Sequence, residues 1–307
     1  MRSTGQRSGA AVLGLLVDRI AAEPPERVHP VAAFGKLMTR LEQLIWADRR
    51  LPGVAYTVTG VAIGATAGIL QRSTASAVAL TAAGRELRSV AMGIAGRLEA
   101  GDLDAARAEL PRLVGRDPSE LDESGVAAAV IESVAENSVD AVFAPVFWAI
   151  VAGAPGATAY RAVNTMDAMV GRRDERYRNF GWTAARLDDV ANYMPARLFA
   201  ALVAALRPRQ ARAIWTAIRR DAVAHPSPNA GVAEAAVAAA LGRELGGPLR
   251  YGPRQENRPR LGVGPRPAAS DIETAVRLAS QAELLLAAVV AVTWFVAHRG
   301  RALTDRS

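Results

Sequence analysis

Between Glu132 and Arg197 the sequence sets carboxylates, asparagines and arginines among alanine, valine and tryptophan, in ESVAENSVDAVFAP, YRAVNTMDAMVGRRDERYRNFGW and ARLDDVANYMPAR. Charge in apolar surroundings is costly to bury unless it is paired, metal-bound or turned to water. Glu132, Glu136 and Asp140 fall at i, i+4 and i+8, which on a helix puts three carboxylates on one face with Asn137 alongside. Like charges at that spacing repel. An acidic, solvated face is the ordinary explanation, but this helix runs straight into AVFAPVFW. A divalent cation with oxygen ligands, magnesium foremost, would relieve the repulsion.

Asn164 and Asp167 form an i, i+3 pair ahead of GRRDERYRNFGW, which carries Arg176. Asp188, Asp189 and Asn192 follow on ARLDDVAN, flanked by Arg186 and Arg197. Singly, each group reads equally well as a salt-bridge network at a helix end. Together they compose a metal–phosphate site, with arginines for the phosphate oxygens. In HPSPNAGVAEAA, Ser227 and Asn229 precede a helix whose free amides favour phosphate, with Arg219 and Arg220 nearby. A plain Ser or Asn N-cap explains this motif equally well. His225 is either an acid/base group or a hydrogen-bonded turn histidine. No GxxxxGK[ST] or GxSxG pattern occurs, so P-loop and serine-hydrolase patterns are absent.

The elements that must hold these residues read as helices throughout, with no sustained strand alternation. The segment near 9–20 is apolar and reads as a retained membrane-embedded or interfacial helix rather than a cleaved leader. HPVAAFGKLMTRLEQLIW is amphipathic, with Leu37, Leu41, Leu44 and Ile45 on one face. Residues 51–71 carry no charge and are long enough to cross a bilayer. Within them Thr57, Gly60, Gly64 and Gly68 form a small-residue packing face. Residues 85–130 read as polar helices between Gly and Pro turns, with GDLDAAR an ordinary helix cap. Residues 141–160 are uncharged but interrupted by Pro145, Gly153, Pro155 and Gly156, which predicts a broken or re-entrant helix. Residues 198–206 are apolar but short. Residues 207–266 are basic and rich in proline and glycine, with one helix at 230–241. Ser270 and Glu273 form a capping box for a final helix, apolar over 284–298 and ending in HRGR. The expectation is one all-α, polytopic integral membrane domain over 1–307, with polar helices and loops between spans.

The chain carries a formal charge of +7, almost entirely from arginine, with Lys36 the single lysine. Its arginines form no aromatic-interleaved stripe, which speaks against nucleic acid. The absence of cysteine excludes thiolate chemistry, and His29, His225 and His298 are too widely spaced for a zinc motif.

The series ESVAENSVDAVFAPVFWA, YRAVNTMDAMVG, ERYRNFGWTAARLDDVANYMPAR and HPSPNAGVAEAA resembles the CobD/CbiB family, the adenosylcobinamide-phosphate synthases of cobalamin biosynthesis. AEPPER and HPVAAFGKLMTRLE fit the family's opening, so the resemblance covers nearly the whole chain. It implies an integral membrane enzyme that joins the free propionate of adenosylcobyric acid to aminopropanol or its phosphate as an amide, using ATP and magnesium. On that basis Glu132, Glu136 and Asp140 are expected to bind magnesium, and Glu136, Asp188, Asp189 and His225 to take catalytic roles. Asn137, Asn164, Asp167, Arg176, Arg186, Arg220, Ser227 and Asn229 are expected to bind substrate or phosphate. The division of labour rests on residue chemistry. Because ATP and cobyric acid are cytoplasmic, the motif loops are expected on the cytoplasmic face of the cell membrane; other pathway enzymes are conceivable partners. Two alternatives are a membrane transporter, which would bury ionisable residues within its spans, and a related membrane sensor, which would not need every motif.

Overall fold

The computed structural model describes residues 4–21, 29–115, 117–172, 174–251 and 254–304, with side chains described outside 248–257 and 297–304. The AEPPER stretch and the side chains of HRGR lie outside the described residues. In chain order the helices are α1 (Thr4–Ile20), α2 (Pro30–Ile45), α3 (Arg50–Gln71), α4 (Thr74–Thr81), α5 (Gly84–Glu99), α6 (Leu103–Glu109) and α7 (Glu123–Ser138). A π turn (Val139–Phe143) leads into α8 (Ala144–Ala152) and α9 (Ala154–Val170). They are followed by α10 (Trp182–Ala191), α11 (Tyr193–Leu206), α12 (Ala211–Asp221), α13 (Ala230–Leu241), strands β1 (Leu245–Tyr251) and β2 (Arg254–Leu261), and α14 (Ala269–Thr304). The runs Arg50–Gln71, Glu123–Ala152 and Ala269–Val296 are long and apolar enough to cross a membrane. The protein is a polytopic all-α membrane protein.

The chain forms two compact units. The first comprises 1–83, 140–192 and 287–307; the second comprises 84–139 and 193–286. In the first, α3 and α9 run antiparallel in close contact. A Cβ added at Gly64 would meet Ala162 Cβ at 2.8 Å, and one at Gly68 would meet the Ala154 carbonyl oxygen at 2.6 Å. The small residues therefore let two backbones approach closely. Met38, Tyr56, Met166, Val170, Phe180 and Ala184 fill the core beside this contact. Phe34, Leu41 and Ile45 of α2 pack on that core, whereas Leu37 and Leu44 are exposed, so the expected apolar face of α2 is divided. Val54, Val58, Ile69 and Leu70 point outward from α3, as expected of a helix facing lipid. The predicted break falls at Gly153, whose φ of 72° ends α8 and admits α9 directly.

In the second unit, α7 is buried over most of its length, and α13 is buried on nearly every side. Asp102 caps α6 by accepting the Ala105 N–H at 3.0 Å. The antiparallel hairpin β1–β2, with a register shift at Gly246/Gly247, is a departure from the all-helical expectation. Its first strand, LGGPLRY, lacks the alternation that marks a strand. The start of α14 also differs from the expected capping box. Asp271 accepts the Ala268 N–H at 2.8 Å and pairs with Arg243, while Glu273 pairs with Arg277.

Candidate functional site

The first unit brings Asp140, Tyr160, Asn164, Asp188 and Asn192 into one hydrogen-bond network. Asn164 on α9 gives its side-chain amide to Asp140 Oδ2 at 3.0 Å and to Asp188 Oδ1 at 3.4 Å. Asn192 gives its amide to Asp188 Oδ2 at 3.0 Å and accepts the Tyr160 hydroxyl at 2.8 Å. The Asn164 oxygen in turn faces Arg161 Nη1 at 3.4 Å. The two asparagine amides donate to the two carboxylates, while the Tyr160 hydroxyl and Arg161 donate to amide and carbonyl oxygens. An amide N–H can only donate, so the carboxylate oxygens are the acceptors of these bonds.

The π turn has a direct part in this arrangement. A π turn inserts an extra residue and loosens the regular i→i−4 ladder. Here the Asp140 carbonyl lies 3.2 Å from the Tyr160 hydroxyl, and the Ala141 carbonyl accepts the Ala83 N–H at 3.0 Å. Tyr160 has only one proton, so its shorter bond to Asn192 dominates and Asp140 O shares it. Trp148 packs beside Ala144, Tyr160 and Ala191 and donates its indole N–H to the Ala191 carbonyl, closing the apolar side of the network.

The expected carboxylate triad is not assembled as a metal cage. Glu132 is 2% exposed, and its carboxylate accepts the Gly246 N–H of β1 at 2.8 Å. The π turn changes the helical phase before Asp140, while Glu136 is half-buried. Among the described residues, no three His, Cys, Asp or Glu side chains are close enough to hold a metal ion between them. Asn137 turns back to donate to Ser133 of its own helix. Asp167 lies over Gly171, where an added Cβ would fall 1.8 Å from its Oδ1.

Three arginines expected on phosphate already face carboxylates. Arg176 pairs with Glu42 at 3.0 Å and stacks over Trp46, Arg186 pairs with Asp189 at 3.2 Å, and Arg220 pairs with Asp221. Asp221 also accepts the Gly262 N–H at 2.9 Å. Burial pushes the Asp221 carboxyl up, but the bonds from Arg220, the Gly262 amide and the Arg220 charge outweigh it and hold it below the usual carboxylate range.

In the second unit the HPSPN turn forms a separate cluster. Ser227 Oγ accepts the N–H groups of Asn229 and Ala230, so Ser227 caps the start of α13 and Asn229 does not. Asn229 instead accepts Arg197 Nη1 at 2.8 Å, and the Arg197 guanidinium lies 3.5 Å from the Tyr193 ring centre. His225 is almost fully buried, with Nδ1 at the Ser227 backbone and Nε2 3.6 Å from Glu234 and 3.4 Å from Arg258. Glu234 and Tyr160 are the residues that sequence reasoning passed over. A lone glutamate inside VAEAAVAAA was the available signal for the first; Tyr160 ended an uncharged run and gave none.

The CobD/Cbib protein family profile matches residues 11–279. The chain is 44% identical over 304 residues to the cobalamin biosynthesis protein CobD of Mycobacterium tuberculosis (strain ATCC 25618 / H37Rv), covering 94% of this chain and 96% of that protein. It is also 44% identical to the CobD of Chromobacterium violaceum, covering 90% and 93% of the two chains, and 41% identical to that of Rhodobacter capsulatus, covering 87% and 91%. No solved structure matches it. The chain belongs to the CobD/CbiB family.

Proposed function

We propose that the protein acts in cobalamin biosynthesis as an ATP-dependent, amide-forming ligase. It would join the free propionate carboxyl of adenosylcobyric acid to aminopropanol or its phosphate, at the cytoplasmic face of the membrane. Family membership and the curated relatives' common name support the pathway. The observation that carries the site is the Asn164 amide shared by Asp140 and Asp188.

A carboxylate does not acylate an amine in water without activation. In the proposed reaction a propionate oxygen attacks the γ-phosphorus of ATP, the bond to the bridging oxygen of ADP breaks, and an acyl phosphate forms. The amine then attacks the acyl carbon, inorganic phosphate departs, and the ammonium proton passes to a base. Both steps depend on positioning and charge neutralisation.

Asp140 and Asp188 fit magnesium. They are hard oxygen donors held together by a neutral amide, and magnesium commonly takes one or two carboxylates besides phosphate oxygens and water. Magnesium would supply charge neutralisation for the triphosphate. Asn164 would hold the two carboxylates at a fixed separation, and Asn192, braced by Tyr160, would orient Asp188. Glu136 and Asp189 remain candidates for the proton acceptor. His225, beside Glu234 and Arg258, is a further acid/base candidate.

Asp188→Asn tests this reading. Purified in detergent and returned to lipid, it should lose at least about 100-fold of magnesium-dependent amide synthesis while remaining folded. Full activity in that variant would remove the metal assignment. In cells, a deletion strain should grow on cobinamide and fail on cobyric acid; growth on both would remove the biosynthetic reading.

A further inference from the structure

Arg161 of α9 differs from the arginines described above. Arg176, Arg186 and Arg220 each pair with a carboxylate, whereas Arg161 forms no ion pair among the described residues. Its Nη1 makes one long contact, 3.4 Å to the Asn164 oxygen, and its Nε is enclosed without a hydrogen-bond partner. The close approach of Gly64 to Ala162 sets this half-buried side chain beside the interior of α3, away from either end of that helix. A guanidinium in such surroundings is costly unless an anion lies against it.

There is room for that anion. Arg161 lines a cavity of about 570 Å³ whose walls include Phe34, Ile63 and Leu80, and it is the only charged side chain among the lining residues. Thr81, Thr158 and Thr165 also line the cavity, but each hydroxyl donates to a backbone carbonyl of its own helix. The protein therefore brings no anion to this face of Arg161. Asn164 ties the cavity to the carboxylate network: its oxygen faces Arg161, and its amide nitrogen holds Asp140 and Asp188. With magnesium on those two carboxylates their charges are matched, and the charge of Arg161 is left for a reactant. We infer that Arg161 binds an oxyanion of a reactant beside the Asp140–Asp188 pair, either a phosphate oxygen of ATP or the propionate carboxylate. The identity of the reactant rests on the amide-forming reading; the anion site itself rests on Arg161. Both sources present the anionic oxygens that a guanidinium fork accepts.

The test varies each reactant in turn with the full chain returned to lipid. Arg161→Gln should raise KM by at least about 10-fold for ATP or for adenosylcobyric acid, and the one that moves is the source of the anion. KM for aminopropanol, which carries no anion, should stay within about twofold. Arg161→Lys keeps the charge and loses the fork, so its KM should fall between native and Arg161→Gln; it decides alone if the glutamine variant does not fold. A second readout needs no turnover. Magnesium pyrophosphate or propionate, as probes for the two sources, should raise the thermal unfolding midpoint by about 2 °C or more at saturation in the native protein and not in Arg161→Gln. Native protein that makes no amide removes the proposed reaction and leaves the midpoint shift to decide the anion site. Overturning results are unchanged KM values for both anionic reactants, an equal rise for all three reactants, or a midpoint shift that is absent from the native protein or retained in Arg161→Gln.

Discussion

The Asn164 amide gives one hydrogen to each of two aspartates, so one side chain positions both carboxylates. That shared donor distinguishes them from the acidic residues that looked equivalent in the sequence. Glu132 has a structural partner instead, and substitutions separate the two roles. Glu132→Gln retains an oxygen for the Gly246 N–H, so it should cost less than about 1 kcal/mol. Glu132→Ala leaves a buried N–H unpaired and should cost about 1–3 kcal/mol. Denaturant unfolding measures both, and a metal ligand would instead make the two variants equally inactive. Asp221 gives a pH signature. Its carboxyl is held below its ordinary value of 3.8, so the folded state gains stability that is present above that value. The gain is lost as pH falls through the lower folded value. Stability of the native protein minus that of Asp221→Asn should therefore shrink below about pH 4, as read by unfolding at a series of pH values. A constant difference would mean that charge is not the source.

At the scale of elements, the α3–α9 contact was the most legible part of the fold, because Gly60, Gly64 and Gly68 leave a stripe with nothing to pack except another backbone. Gly64→Leu should destabilise by about 1–3 kcal/mol or more, since the added side chain meets Ala162 and the Thr158 carbonyl. Gly35→Ala on α2 is its control: nothing lies within 4 Å, and the expected change is neutral or slightly stabilising. Thermal unfolding of the two variants in one detergent makes the comparison. The site was legible in its residue types and only partly in its geometry. Asn164, Asp188 and Asp140 stood out as polar residues in apolar surroundings, yet their meeting depends on tertiary packing that no local spacing encodes. The i, i+4, i+8 pattern pointed to an uninterrupted helix, and the π turn breaks that phase. The hairpin was hidden for a different reason: its pairing depends on glycines at φ of 75° and 104°, not on alternating side chains.

For the whole molecule, exposed apolar side chains on α1, α3 and α14, including Leu13, Val58, Ile69, Val292 and Phe295, leave surfaces that water would not tolerate. Alkaline carbonate should therefore leave the protein in the membrane pellet and a mild detergent should release it, as followed by immunoblotting; release by carbonate would mean peripheral attachment. The sequence pattern anticipated the apolar helix at 51–71 almost to the residue, because uncharged length is a local property. The long apolar run Glu123–Ala152 was less legible, since its carboxylates mask an otherwise apolar segment.

The π turn also restricts how the chain can change in length. Removing one residue from Val139–Phe143 would leave an ordinary α turn, rotate everything after it by about 100° and draw it back about 1.5 Å. The Asp140 and Ala141 carbonyls would return to the helix ladder, taken from Tyr160 and Ala83. Surface turns accommodate insertions and deletions by bulging outward, but this segment has no such slack. A one-codon deletion there acts as a frameshift in three dimensions: the residues keep their identities and lose their addresses.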